Sequence, residues 1–422
     1  MLIAKAYEDC FSKEIMLFIN NGFVVKRFNY VDKNICREYE CVDVRELGLT
    51  LPGFIDIHVH LRGLNLAYKE DEESGTKAAA RGGFTAVVDM PNTLPRIDRP
   101  EHLNLKLEAL KTKSYTDFGV YVFPANSEIL EKMLSVEGVV GVKLFPEDIQ
   151  NLPTVVETMA KKWNKKIVII HAENEALLGD CEPGFRWSCR PIESEISALN
   201  TVYSLYVRSG VNVKVHITHV TNVLTLSLSK RYGFTADSCP HYLYLDANAE
   251  ESLGCIAKVN PPLRQNSSKE MLVKMIKALD AISTDHAPHA LEEKMVSFDK
   301  CPSGIASIDI AASLILNLVS KNVISLDDVV RLLSLGPAHI IGLKRWGCFY
   351  SGCLASYTVV DINEVFSVCS ENFFSKARFS PYEGYTLRGA VKATIVRGHI
   401  VYREDEIQEK VTPMPITRFT RS

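Results

Sequence analysis

Two patterns of apolar and polar residues divide the chain. At both ends, apolar and polar positions alternate in short runs, which is typical of strands that bury one face. Near the N-terminus, EIMLFI and FVVKRF flank Asn21-Gly22, a dipeptide that favours a two-residue hairpin turn. Near the C-terminus, SYTVVDI and AVKATIVRGHIVY follow the same pattern. We therefore predict one small β domain that is built from both termini, residues 1–50 plus 345–422.

The middle of the chain, residues 51–344, alternates short apolar runs with segments of helical periodicity such as LPTVVETMAKKW and EISALNTVYSLYVRSG. The strand candidates are GFIDIHV, FTAVVDM, FGVYVF, VVGVKLF, KIVIIH, VNVKVHITH, GFTADS and LDAISTD. Short strands that are apolar on both faces, each followed by a helix, indicate a parallel sheet that is covered on both sides. About eight such units form a (β/α)₈ barrel. The predicted fold class is therefore α/β, a TIM-like barrel with a small β domain.

Composition excludes several classes of partner. The chain has 422 residues, of which 46% are hydrophobic and 23% charged, and its net charge is -3 without a basic stripe. No apolar run approaches the roughly 20 residues that span a bilayer. We therefore expect neither nucleic acid nor a membrane as a partner. The 11 Cys include no C-x-x-C pair. Together with a charged N-terminus that does not resemble a signal peptide, this favours a cytoplasmic protein with reduced thiols.

The first predicted barrel strand ends in the polar sequence DIHVHLR. Side chains alternate along a strand, so Asp56, His58, His60 and Arg62 share one face. Reactive residues of such barrels stand at the C-terminal ends of the strands. Two imidazoles in this position can bind one metal ion. The alternative, a polar face exposed to solvent, does not suit a strand face that points into a barrel.

Other strand ends carry similar residues. His171 ends the fifth strand, the sixth carries His216 and His219, and Asp285 ends the eighth. Because the two histidines of the sixth strand are three residues apart, they do not share a face. His219 is nearer the strand's end and is the better ligand, whereas His216 is an interior histidine or a secondary contact. Asp285 could both bind a metal ion and transfer a proton.

Lys143 lies in VVGVKLF, an otherwise apolar strand. Its ammonium could extend to the rim of the barrel. A buried, unpaired ammonium would instead tend to lose its proton. The neutral amine can react with carbon dioxide to form an anionic carbamate, which could bridge two metal ions. Both interpretations stay open on the residues alone.

Together these segments resemble the amidohydrolase superfamily and, within it, the type I dihydroorotases. The resemblance extends from PGFIDIHVHLR at 52–62 to RGHIVY at 397–402. Between these ends the segments keep the family's order: MPNT at 90–93, GVKLF at 141–145, HAEN at 171–174, HITHV at 216–220, NPPLR at 260–264 and DHAPH at 285–289.

The resemblance implies a zinc-dependent enzyme that interconverts N-carbamoyl-L-aspartate and L-dihydroorotate in pyrimidine biosynthesis. It implies two zinc ions, with His58 and His60 on one, His171 and His219 on the other, carboxylated Lys143 as the bridge and Asp285 on the first ion. It also implies that Asp285 is the general acid and base of the reaction. The substrate-binding positions that match are Arg62, Asn92, Asn260 and His289.

Alternatives remain open beside this resemblance. Sister families open dihydropyrimidine, hydantoin or allantoin rings with the same metal set, and CPHYL at 239–243 is closer to the allantoinase form. Their substrates lack the ring carboxylate for which the Arg62 guanidinium offers a fork; a salt bridge at the rim is the other interpretation of Arg62. A non-catalytic scaffold that binds aspartate transcarbamoylase is the second alternative. Such a scaffold would have no need to retain the metal ligands, whereas this sequence carries the whole set. A homodimer, association of an active enzyme with that transcarbamoylase, and closure of loops 62–74 or 286–304 are further hypotheses.

Overall fold

The computed structural model describes residues 2–8, 13–30, 34 and 39–420. Its strands are β1 Leu2–Glu8, β2 Lys13–Asn20, β3 Phe23–Phe28, β4 Glu40–Asp43, β5 Leu49–Pro52, β6 Phe54–Val59, β7 Phe84–Asp89, β8 Asp117–Val122, β9 Val139–Leu144, β10 Ile167–Ile170, β11 Lys214–Ile217, β12 Thr235–Ser238, β13 Ala281–Ile282, β14 Tyr357–Ser367, β15 Thr386–Val396, β16 His399–Arg403 and β17 Glu406–Ile407. Its α-helices are α1 Glu72–Arg81, α2 Pro100–Lys113, α3 Ser127–Leu134, α4 Leu152–Lys162, α5 Arg186–Cys189, α6 Ile192–Ser209, α7 Val223–Arg231, α8 Pro240–Tyr244, α9 Ala247–Leu253, α10 Asn266–Lys274, α11 Leu291–Lys294, α12 Ala311–Ser320, α13 Leu326–Val330 and α14 Gly336–Ile340.

The strands β6 to β13 form one sheet in sequence order, and every neighbouring pair is parallel. Every residue of β6, β7, β8 and β9 is buried, as expected for a sheet with helices outside and packed side chains inside. The two edges of the sheet meet where the backbone N–H of His60 donates to the carbonyl of His286 at 2.8 Å. The predicted (β/α)₈ barrel is therefore confirmed.

Polar side chains cap two of the helices that follow the barrel strands. The Asp71 carboxylate accepts hydrogen bonds from the backbone N–H groups of Glu73 and Ser74 at the start of α1. The Asn222 side chain does the same for Leu224 and Thr225 at the start of α7. Such caps satisfy N–H groups that have no partner within the helix. They fix where the loops after β6 and β11 end, and these two loops carry Arg62 and His219 of the site.

The second sheet joins the two ends of the chain. Its order is β17-β16-β15-β14-β5-β1-β2-β3, and β4 also pairs with β1. A tight turn at Asn21-Gly22 joins β2 to β3, as predicted, and another at Arg397-Gly398 joins β15 to β16. The prediction of one sheet from both termini is confirmed, while the domain limits given above stay a prediction. In the described part of the chain, no helix is long and apolar enough to span a membrane.

The expectation of reduced thiols is wrong for three pairs of cysteines. Disulfides join Cys181 to Cys189, Cys255 to Cys301 and Cys348 to Cys353, with Cα atoms 6.0, 6.0 and 5.7 Å apart. Among the described residues, Cys239 is a buried free thiol and Cys369 an exposed one. Sequence spacing could not show the pairing of Cys255 with Cys301, because the fold brings together residues that are 46 positions apart.

Candidate metal and substrate site

A cavity of about 450 Å³ opens at the C-terminal ends of the barrel strands. It brings together all the side chains that the sequence analysis singled out as site residues: His58, His60, Arg62, Asn92, Lys143, His171, His219, Asn260, Asp285 and His289. A second cavity of about 820 Å³ adjoins it and shares Arg190, Asn260 and Ser303 with it. The site is therefore a polar pocket with an adjoining vestibule.

Three buried groups at the end of β6 and after β13 form the centre of this site. The Nε2 atoms of His58 and His60 lie 3.2 and 3.1 Å from Oδ1 of Asp285. One ligand atom from each residue lies within 4.8 Å of the other two. Ligand bonds of about 2.0–2.1 Å in a tetrahedral site place neighbouring ligand atoms about 3.3 Å apart. The three atoms therefore have the spacing of ligands to one metal ion.

Hydrogen bonds at the far side of each ring orient these two histidines. Nδ1 of His60 donates to the amide oxygen of Asn92 at 2.7 Å. Nδ1 of His58 lies 2.6 Å from the hydroxyl of Thr218, which itself donates to Asp237 at 3.1 Å. Because both Nδ1 atoms are the donors, the Nε2 lone pairs face Asp285. This is how ligand histidines are usually held.

The charge states of these groups also suit a metal site. Burial, followed by the nearby Lys143 and His219 charges, lowers the pKa of His58 well below its ordinary value. Burial likewise lowers the pKa of His60. Burial acts to raise the pKa of Asp285, but its close contact with His60, together with the nearby His241 and Lys143, outweighs burial and holds that pKa below its ordinary value. The site therefore offers neutral imidazoles and an anionic carboxylate, the forms that bind metal ions.

Lys143 and His219 carry polar atoms that lack partners. Nζ of Lys143 and Nδ1 of His219 are buried, and neither has a hydrogen-bond partner among the described residues. Burial lowers the pKa of Lys143 to about 8. The ring of His219 lies 4.4 Å from that of His171 and 5.3 Å from that of His58, measured between centroids. Unpaired buried polar atoms are costly, and a metal ion with a lysine carbamate would satisfy both. The donor set therefore fits a metal centre.

Three site residues have an unfavourable backbone conformation. Arg62, His219 and Asp285 have φ values of 55°, 46° and 47°, where residues other than glycine are strained by roughly 1–3 kcal/mol. Buried carboxylates hold two of these turns. Asp237 accepts from the backbone N–H of His219, and Asp56 accepts at 3.2 Å from that of Thr284, next to Asp285. The strain at the strand ends is thus balanced from inside the barrel.

The substrate side of the cavity carries a buried cation. Arg62 is 7% exposed, donates from Nε to the carbonyl of Pro288 at 3.2 Å, and lies 3.1 Å from Nε2 of His289. It forms no ion pair with a carboxylate of the described residues. Asn260 accepts a hydrogen bond from Arg186. A buried guanidinium that faces a cavity without a carboxylate to balance its charge indicates an anionic ligand.

Several residues that contact the site were not predicted from the sequence. Glu173 accepts from Nε2 of His171 at 2.7 Å and also binds Arg190, whose side chain lines both cavities. Burial acts to raise the pKa of Glu173, but the hydrogen bond from His171 and the charges of His171 and Arg190 lower it to about 2. Glu173 could have been found from its place in the HAEN segment, whereas Arg190 lies in a stretch without a motif or periodicity that would mark it. Nε2 of His216 donates to Asp237 at 3.0 Å, and its Nδ1 lies 2.9 Å from the hydroxyl of Thr235, as predicted for an interior histidine.

The chain belongs to the amidohydrolase family, which it matches over residues 49–401. Among curated relatives, it is similar to the dihydroorotase of Saccharolobus solfataricus, with 36% identity over 96% of this chain and 95% of that protein. It is also similar to the dihydroorotase of Methanothermobacter thermautotrophicus, with 34% identity over 85% of each chain. The resemblance drawn from the sequence is therefore confirmed at the level of the family.

Solved structures support the fold. The L-hydantoinase from Arthrobacter aurescens superimposes with a TM-score of 0.88 over 97% of both chains, at 22% identity. The dihydropyrimidinase from Brevibacillus agri gives a TM-score of 0.84 over 98% of this chain and 97% of that chain, also at 22% identity. At this identity, the likeness shows the barrel with its β sheet and no more.

Proposed function

We propose that the protein is a metal-dependent dihydroorotase, which interconverts N-carbamoyl-L-aspartate and L-dihydroorotate in pyrimidine biosynthesis. The observation that carries this proposal is Arg62, a buried guanidinium in the same cavity as the histidine cluster that has no carboxylate partner among the described residues. A ring that bears a carboxylate would pair with Arg62 while its amide reaches the cluster. The dihydroorotases among the relatives, at 34–36% identity, support the same substrate.

The metal would be zinc, since the donor set is rich in imidazole. His58, His60 and Asp285 would hold one ion, His171 and His219 a second, and Lys143 would bridge them as a carbamate. Burial without a hydrogen-bond partner, and a pKa of about 8, favour the neutral amine that forms this carbamate. Bound metal ions of this kind polarise a carbonyl and acidify water.

Asp285 would carry the proton. Its carboxylate is anionic and sits beside the histidine pair, so it can accept a proton from the water that attacks the ring carbonyl. It then delivers that proton to the ring nitrogen as the amide bond breaks. In the closing direction, Asp285 removes a proton from the carbamoyl nitrogen and returns it to the departing oxygen.

Arg62, Asn92 and His289 would bind the ring carboxylate. Arg62 and His289 approach each other within 3.1 Å and present nitrogen atoms to the cavity. Asn92 also holds His60 at 2.7 Å, so it links the carboxylate site to the metal site. Asn260, whose oxygen is occupied by Arg186, would present its amide N–H₂ to a polar atom of the substrate.

A hydantoinase or dihydropyrimidinase is the second candidate, because solved enzymes with these titles share the fold. The two candidates differ in the substrate's charge. We would assay purified, zinc-loaded protein with dihydroorotate, dihydrouracil, hydantoin and allantoin, beside Arg62→Ala. Turnover of dihydroorotate alone, lost in the variant, would support the proposal. Turnover of an uncharged ring would favour a sister activity, and no turnover by metal-loaded protein would favour a non-catalytic scaffold.

We keep four further predictions as proposals. They are the domain limits 1–50 plus 345–422 and 51–344, a homodimer, an association with aspartate transcarbamoylase, and a location in the cytoplasm. Light scattering of the protein, alone and mixed with that transcarbamoylase, tests the homodimer and the association.

A further inference from the structure

The ring of His289 is surrounded by four polar groups. At Nε2 lie the guanidinium of Arg62, at 3.1 Å, and the carbonyl oxygen of Ser303, at 3.0 Å. At Nδ1 lie the ammonium of Lys69, at 3.3 Å, and Oε2 of Glu293, at 3.4 Å. Each nitrogen therefore faces one group that can only donate a hydrogen bond and one that can only accept.

A neutral imidazole carries a single N–H, so only two of these four contacts can be satisfied at once. Burial, followed by the charges of Arg62, Lys294 and Lys69, lowers the pKa of His289 to about 3. The doubly protonated ring is thus excluded near neutral pH. With the proton on Nδ1, the ring bonds to Glu293 and Arg62. With the proton on Nε2, it bonds to Lys69 and Ser303.

A substrate carboxylate would decide between these two forms. A carboxylate that binds beside Arg62 accepts hydrogen bonds from the guanidinium. His289 can add a hydrogen bond to it only if its proton is on Nε2, where the carboxylate competes with the carbonyl oxygen of Ser303 for that proton. In that form, the lone pair of Nδ1 needs a donor, and Lys69 is the donor within reach. Glu293 opposes it, because a carboxylate at Nδ1 favours the other form.

We propose that Lys69 is a positioning residue that selects the Nε2–H form of His289 and so lets this histidine donate to the substrate's carboxylate. This inference rests on the proposed function. Lys69 is held for this task by an ion pair of 2.8 Å with Oε1 of Glu293, which also accepts from the hydroxyl of Tyr68 at 3.0 Å. Lys69 thereby adds to the specificity for charged rings without contacting the substrate.

The test compares Lys69→Met with Lys69→Arg and with the double variant Lys69→Met/Glu293→Gln. In Lys69→Met only Glu293 faces Nδ1, so Nε2 presents a lone pair to the carboxylate. We expect the KM for dihydroorotate to rise roughly 10- to 100-fold, the loss expected for one charged hydrogen bond, with a much smaller change in kcat. Arginine at position 69 should restore KM. The added Glu293→Gln change should restore part of it, since a glutamine amide can donate to Nδ1.

Two further measurements separate this role from a structural one. Competitive inhibition by orotate, which carries the carboxylate, should weaken in Lys69→Met, whereas inhibition by uracil, which lacks it, should not. Lys77→Met is the matched control, because Lys77 forms a similar 2.7 Å pair with Glu73 on the surface of α1. That control should leave KM and both inhibition constants unchanged.

Several outcomes would overturn the inference. With a wild type that turns over dihydroorotate, the inference fails if Lys69→Met leaves KM unchanged. It also fails if inhibition by orotate and by uracil weakens equally, or if adding Glu293→Gln does not lower KM again. A wild-type protein that does not turn over dihydroorotate would overturn the proposed function, and this inference with it.

Discussion

Lys106, Glu72 and Asp89 form a charge cluster beneath the loop that carries Arg62, and all three side chains are fully buried. Nζ of Lys106 lies 2.8 Å from Glu72, 2.6 Å from Asp89 and 3.1 Å from the carbonyl oxygen of Arg62. Asp89 also accepts from the backbone N–H of Leu61 at 2.8 Å. The cluster therefore holds the main chain on both sides of Arg62, whose φ is positive.

Replacing Lys106 with Met should weaken both stability and substrate binding. The change leaves two carboxylates buried without their cation, which costs about 3–5 kcal/mol. For a chain of 422 residues, with an unfolding entropy of about 2.1 cal/mol/K per residue, this lowers the unfolding midpoint by roughly 3–6 °C. Because the Arg62 carbonyl also loses its donor, we expect the KM for dihydroorotate to rise several-fold, as for a lost hydrogen bond.

The matched control is Arg397→Met, which breaks another buried ion pair. Arg397, which follows β15, binds Asp117 at the start of β8 at 3.1 Å, and neither residue lines the cavity. Thermal unfolding and steady-state kinetics of both variants separate the two effects. Both should unfold earlier, but only Lys106→Met should change KM. Equal KM values in the two variants would refute the argument that this cluster positions Arg62.

Three other predictions follow from the site and its surroundings. Loading with zinc should stabilise the protein by about 2.7 kcal/mol when free zinc is in hundredfold excess over Kd. Zinc should raise the unfolding midpoint of His58→Ala much less, and an equal rise in the wild type and the variant would contradict the proposed ligand set. The Cys255–Cys301 disulfide closes a loop of 46 residues, so Cys301→Ser should lower the free energy of unfolding, measured by denaturant titration, by about 4 kcal/mol. Alkylation of both cysteines in unreduced protein would contradict the bond. Burial, opposed by Arg81, raises the pKa of Asp309 to about 6, so the folded protein keeps a proton that the unfolded chain releases near pH 4. The titration of Asp309 should therefore lower the stability by about 3 kcal/mol as the pH rises from about 4 to about 6, and Asp309→Asn should reduce the pH dependence of stability by that amount.

The sequence predicted the barrel and the place of the site because both depend on local pattern. Apolar runs of strand length gave β6 to β13, and polar residues at their ends gave His58, His60, His171 and Asp285. The spacing within HITH separated the two histidines of the sixth strand, and the structure accordingly bonds His216 inside the barrel. The alternation rule places a side chain on the correct face without knowledge of what it contacts.

Contacts between distant segments could not be predicted in this way. Lys69 precedes α1 and Glu293 lies in α11, and only the closed barrel brings the two side chains within 2.8 Å. The Cys255–Cys301 bond has the same origin, and this is why the prediction of reduced thiols failed there. Arg190 carries no motif or periodicity, so only its position at the cavity shows its relevance.

The interior of the barrel connects stability with the chemistry of the site. Asp56 and Asp237 are fully buried and repel each other, and burial with this repulsion raises the pKa of Asp56 to about 7, against its hydrogen bonds to Thr284 and His58. They remain there because each accepts backbone N–H groups at strained strand ends, next to His58, His219 and Asp285. An apolar interior would be easier to bury, but it would leave those turns without partners. The fold thus gives up stability inside the barrel to hold the ligand atoms at the spacing of a metal site.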